Sequence, residues 1–284
     1  ELRIETQRLP GWYFLESPHY FLKTDIRATN RYRWRDLLAE LELLRRAYVQ
    51  LCPPLSSAFP VGVLCVFASR SQYQQYVPPL LKWSLGLWIP SRGELLISPT
   101  DNRRQIKWDE IRKVTFHEAF HQYLFYASGI RPVPVWFNEG HAMLVEVAQI
   151  DRARTRIRFP LNQRRQEILE KLIDKDRSGA NLKALLKSSP QTFYQEYGRE
   201  HRYALAWGLV YFLRKGNICY PGRGYDQWCP QIWAAILRKE DPNRVLDRLI
   251  EGISWDVFYS DLRDFWSRRS LVRRAERNPL IPRL

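Results

Sequence analysis

"VTFHEAFHQYL", residues 114–124, places His117 and His121 four residues apart with Glu118 between them, in a chain of 284 residues that has only five histidines. On a helix, positions i and i+4 share a face, so the two imidazoles stand one turn apart and can point at one ion. The flanking sequence is helical in composition and ends at Gly129, a suitable C-terminal cap. Glu118 is then carried to the side where water activated by that ion would lie. Two core histidines and a surface glutamate would fit the same spacing, so a third ligand decides.

Seventeen residues separate His121 from Glu139, the strongest further donor, which lies in "VWFNEGHAMLVEVAQI", residues 135–150, reached through a Pro-rich turn. Such a turn lets the second helix pack back across the first. Two histidines and one carboxylate around an open position make a catalytic zinc set, unlike the closed cysteine-rich sets of structural sites. Glu146 lies two turns after Glu139 on the same face and suits either a carboxylate that orients a ligand histidine or an ordinary surface position. His141, two residues from Glu139, faces away.

The rest of the chain reads as α+β. Up to residue 100, "WYFLESPHYFLKTD" (12–25) and "VGVLCVFAS" (61–69) have strand character, and "LGLWIPSRGELLIS" (85–98) reads as a strand pair turning at Pro90–Gly93. "RYRWRDLLAELELLRRAYVQL" (31–51) is an amphipathic helix with apolar positions at Leu37, Leu41, Leu44 and Tyr48, and "SQYQQYV" (71–77) is a short one. From residue 101 to 284 the pattern is mostly helical, with breaks around 128–135, 175–181, 187–190, 216–224 and 240–243. The two parts are expected to form one compact catalytic unit, a small sheet region followed by a helical subdomain, with zinc at the junction. Residues 267–284 read as a basic tail after the last helix.

Lys and Arg number 45 against 30 Asp and Glu, a net charge of +15 that favours anionic partners without defining a site. No zinc finger, basic zipper or RNA-binding signature accompanies the charge, so no specific nucleic-acid partner is expected. No apolar run approaches the roughly 20 residues of a membrane span. Cys219 and Cys229 bracket a Pro/Gly-rich loop, where a disulfide would restrain the excursion; four free, partly buried thiols are the alternative. The disulfide reading points to an exported protein whose signal peptide is absent from this chain.

"HEAFH" followed by "WFNEG" resembles the gluzincin metallopeptidases of the peptidase MA-like superfamily, and the layout is more similar to a bacterial branch of uncharacterised gluzincin-like domain proteins. The resemblance implies that His117, His121 and Glu139 bind Zn2+ and that Glu118 is the general base. It also implies a Tyr or His some sixty residues later as oxyanion donor, and "EYGREHRYALAW" (196–207) supplies His201 and Tyr203. Two helical positions differ by about 200°, so only one can face the ion. Tyr203 shares its face with Trp207 and Val210, which favours it. The substrate implied is a peptide or protein, paired in extended form with the backbone of residues 86–89 or 95–98. No G-x-M-E-N strand is present, which favours an endopeptidase over an aminopeptidase. The rival expectation is a non-catalytic module on the same fold, presenting a basic surface to an anionic partner.

Overall fold

The computed structural model describes residues 11–26, 31–57, 59–98, 107–151, 153 and 156–281. Strand β1 (Tyr13–Glu16) turns directly into β2 (Tyr20–Thr24), and the two pair antiparallel. Helix α1 (Arg31–Leu51) then crosses back so that β3 (Gly62–Val66) can lie parallel to β2, the kind of connection parallel strands require. Helix α2 (Arg70–Tyr76) opens on a capping box in which Ser69 and Gln72 satisfy each other's backbone N–H groups. β4 (Gly86–Ile89) and β5 (Glu94–Ile97) form the hairpin, and the sheet order is β1-β2-β3-β5-β4. The hairpin folds over so that β5 pairs with β3 and β4 is left at the edge.

The buried stripe of α1 runs through Trp34, Leu37, Leu38, Leu41, Leu44, Ala47, Tyr48 and Leu51, the repeat of a helix with one face inward. Each of its leucines contributes roughly 1.5–3 kcal/mol by leaving water. This stripe covers the sheet face that carries Leu22, Leu64, Val66, Leu95 and Ile97. On the opposite face Cys65 and Leu96 pack with Phe67, Tyr73 and Val77, so α2 closes a second, smaller core.

Helix α3 (Trp108–Ala127) packs against α1, β4 and β5 and is followed by α4 (Val135–Val145), which packs on α3. Two two-residue strands, β6 (Gln149–Ile150) and β7 (Ile157–Arg158), pair antiparallel and interrupt the helices. Then come α5 (Gln163–Lys175), α6 (Ala180–Leu186), α7 (Pro190–Phe193) and α8 (Arg199–Lys215). α9 (Trp228–Leu237), α10 (Pro242–Glu251), α11 (Trp255–Ser267) and α12 (Arg269–Arg277) complete the described chain. The fold is α+β, a small mixed sheet followed by a mostly helical region. A division at residue 100/101 falls outside the described residues. Among the described residues no helix is long and apolar enough to cross a membrane.

Tight backbone contact joins α4 to α8. A Cβ on Gly140 would stand 2.5 Å from the Ala206 carbonyl oxygen and 2.5 Å from Val210 Cγ2, so only glycine lets α4 approach α8 this closely.

Two expectations are corrected. Residues 269–277 form helix α12, with Val272 and Ala275 buried, because the basic run also carries small apolar residues at helical spacing. All four cysteines are free. The 216–227 excursion is held by aromatic packing instead: Tyr225 lies 4.7 Å from the Phe212 ring, its hydroxyl donates to Asp261 at 2.8 Å, and Tyr220 donates to Asp264 at 3.0 Å.

Candidate metal centre

α3 and α4 bring His117, His121 and Glu139 together, with donor atoms all within 4.8 Å of one another. His117 Nε2 is 3.3 Å from Glu139 Oε2, and His121 Nε2 is 3.6 Å from Glu139 Oε1. The opposite nitrogens are occupied. His117 Nδ1 pairs with Glu146 Oε2 at 2.8 Å, and His121 Nδ1 with the Asn138 side-chain carbonyl at 2.8 Å. Both acceptors therefore fix a proton on Nδ1 and turn Nε2 toward the shared point, the outer support that a ligand histidine requires. Glu146 is itself anchored, its Oε1 accepting from Asn162 at 2.8 Å and facing Lys113 Nζ at 3.3 Å. Asn162 also caps α5 through the Arg165 N–H, which ties the start of that helix to the site.

Glu139 is 2% exposed, and its Oε2, though buried, makes no well-aligned hydrogen bond and faces His117 Nε2 at 3.3 Å. A buried carboxylate oxygen held no better than this is costly unless something else binds it. Its position between two imidazole nitrogens fits a divalent cation. The other oxygen accepts a hydrogen bond of 2.5 Å from Tyr194 at the end of α7. Tyr194 and Asn138 escape a reading of spacing alone: one lies 55 residues from the carboxylate it holds, and the other is hidden inside the motif that supplies the ligand.

Glu118 is buried on the β4 side, with Oε2 accepting from the Trp88 N–H at 3.0 Å. This closeness needs Gly86, where a Cβ would come within 2.4 Å of Val114 Cγ1 and 2.7 Å of Glu118 Cγ. Because Leu85 O accepts from Ser98 N, the alternation of an antiparallel ladder turns the backbone polar groups of Gly86 and Trp88 away from β5. β4, and not the 95–98 segment inside the sheet, therefore offers an open edge beside Glu118.

Tyr203 lines the same cavity, of about 500 Å³, with its ring edge-on to Phe193 at 5.1 Å. His201 is exposed and does not line it. The half-turn between them on α8 separates them as helical geometry demands. His141 is also out of reach: its Nδ1 bonds to Phe137 O, and its Nε2 takes Arg214 at 2.8 Å.

Residues 111–218 match the profile of a family described as "Protein of unknown function (DUF1570)". No curated protein matches the chain. The matched span covers less than half of the sequence, yet it contains His117, Glu118, His121, Asn138, Glu139, Glu146, Tyr194 and Tyr203 together. Every side chain of the cluster thus falls within one family segment, while the β4 edge falls before it.

The charges of the cluster are interdependent. Burial opposes charge on His117, but the adjoining Glu139 and Glu146 carboxylates outweigh burial and raise it from 6.5 to about 10. Burial likewise opposes charge on Glu139, yet both imidazoles and the Tyr194 hydroxyl bring it down to about 2. Burial raises Glu118 above the ordinary carboxylate value, against the pull of the two histidines. Burial and the nearby charge of Glu139 raise Tyr194 and Tyr203, which stay protonated donors.

A sign-specific expectation follows for the metal-free protein. His117 holds its proton at neutral pH, and a ligand histidine must release it, so zinc uptake at pH 7.5 should liberate about one proton. Calorimetry in buffers of differing ionisation enthalpy measures that number; zero would contradict the pairing. The stability that the charged His117 confers is complete below the ordinary value of 6.5 and is lost as pH rises through about 10.

Proposed function

We propose that this protein is a zinc-dependent metallopeptidase of the gluzincin type, hydrolysing internal peptide bonds. The observation that carries this reading is the convergence of two outward-braced histidines on the two oxygens of one buried carboxylate, next to a glutamate at an open strand edge. His117, His121 and Glu139 would hold the ion. Zinc bound there supplies a Lewis acid that polarises a carbonyl and acidifies water.

The chain's own residues account for the remaining steps. The outward backbone groups of Gly86 and the Trp88 carbonyl bind an extended peptide as an added strand and set its carbonyl over the site, while the Trp88 N–H stays on Glu118. Glu118, raised in pKa by burial, accepts the proton of the attacking water and returns it to the leaving amine. Tyr203 donates to the oxyanion. Tyr194 holds Glu139 in place, and the low pKa of that carboxyl keeps it an anion at any working pH.

The test uses an unstructured protein such as casein, with mass-spectrometric detection of new termini. The wild-type protein with zinc should cleave it, Tyr203→Phe should be slower by about 10²- to 10³-fold, and His201→Ala should match wild type. A silent Tyr203→Phe beside a slow His201→Ala would reverse the donor assignment. No cleavage of casein or of a peptide library, from protein that carries no metal when purified without chelator, would favour a binding module with a basic surface.

A further inference from the structure

The cleft divides at His117, Glu118 and Tyr203, which line both of its limbs. The limb on the His121 side is walled by Leu87, Trp88, Pro90, Leu124, Phe125 and Val133. Among the described residues its one Lys or Arg is Arg131, which donates to the Leu237 carbonyl. The limb on the His117 side has the opposite character. It is a space of about 850 Å³ lined by six basic side chains and four carboxylates.

Most of those charges are committed. Lys107 pairs with Glu110 at 3.2 Å, Arg164 with Glu200 at 2.5 Å, and Lys113 with Glu146 at 3.3 Å. Glu118 takes the Trp88 N–H, and Arg70 donates to the carbonyls of Lys82 and Ser84 and to the Ser98 hydroxyl. Two guanidinium groups remain. Arg199 lies 3.7 Å over the ring of Trp83, and Arg165 lies 5.2 Å over the ring of Tyr203. Among the described residues neither has a carboxylate within ion-pair distance.

We propose that Arg199 and Arg165 form a subsite for an acidic side chain of the substrate, adjacent to the bond that is cut, with an apolar residue on the other side of that bond. This rests on the peptidase reading above and names its substrate class. A guanidinium held over an aromatic ring by a cation–π contact spends none of its N–H groups on an acceptor, and these match a carboxylate in a two-pronged hydrogen bond. The ring contacts also restrain both arginines before a ligand arrives, which lowers the entropy lost on binding. Like charge crowds this corner: burial and then Arg199 depress the neighbouring Arg202, so an incoming anion relieves repulsion. Because His117, Glu118 and Tyr203 close the limb at one end, an acidic group seated there belongs to the residue beside the reacting carbonyl, not to a distant part of a polymer.

The experiment compares peptides that differ only in Glu or Gln next to a central bond to Leu, made in both orders, with kcat/KM for each. In one order the Glu peptide should be preferred by about 10- to 100-fold, the range of a charge-assisted hydrogen bond, and added NaCl should shrink that preference. The Arg165→Gln, Arg199→Gln double variant should bring the Glu/Gln ratio close to one. A ratio is required because a displaced Tyr203 would slow both peptides alike. Glu118→Gln protein binding the same peptides, labelled and followed by fluorescence polarisation, provides a readout free of turnover. Cleavage without Glu preference, or a preference that survives the double variant, overturns the subsite and leaves the peptidase intact. Tighter Glu binding with no cleavage supports the subsite and defeats the peptidase. Equal binding without cleavage defeats both, and a phosphoserine peptide favoured well beyond Glu would assign the two arginines to phosphate instead.

Discussion

Glu118→Gln should hold zinc at wild-type stoichiometry and lose about 10²- to 10⁴-fold in turnover, the usual contribution of a positioned general base. The amide is isosteric and keeps an oxygen to accept the Trp88 N–H, so β4 stays in register with α3. What disappears is basicity. Burial already disfavours the Glu118 charge, so a neutral side chain there should leave the melting temperature no lower than that of wild type. Metal analysis, thermal melting and the casein assay together separate a lost proton acceptor from a lost fold. Equal cleavage by wild type and variant would mean that the hydrolysis arises elsewhere.

His121→Ala acts on the other half of the chemistry, because it removes a donor and leaves Asn138 without its partner and Glu139 with one imidazole fewer. Zinc affinity should fall by more than the roughly 10- to 100-fold that losing an outer support of a ligand costs. Zinc held at 100 times the wild-type Kd should stabilise the wild-type fold by about 2.7 kcal/mol and the variant by far less. Stoichiometric metal in a folded His121→Ala protein would refute the ligand assignment.

Both variants fall on residues whose placement is legible in the sequence. The i and i+4 placement of His117 and His121 depends only on the pitch of one helix, and the inward stripe of α1 only on its apolar repeat. The hairpin at 86–97 announces itself by Pro90 and Gly93 between two apolar runs. Glu146 is legible for the same reason, two turns beyond Glu139, and it does meet His117. Where local periodicity is the wrong guide, the reasons are physical: a basic run masks the buried Val272 and Ala275 of α12, and a Pro/Gly loop invites a crosslink that Tyr220 and Tyr225 make unnecessary.

By itself, then, the sequence determined the elements and the residues that one helix face must present, because those follow from backbone geometry within a few turns. Tertiary structure alone decided which distant groups meet them. Tyr194 reaches Glu139 across 55 positions, the Trp88 N–H meets Glu118 across 30, and Tyr203 rather than His201 turns into the cleft. Such meetings depend on how closely α4 can approach α8 at Gly140 and α3 can approach β4 at Gly86. That distance is set by close packing among residues with no short-range signal in common, so it enters only when the layers are assembled.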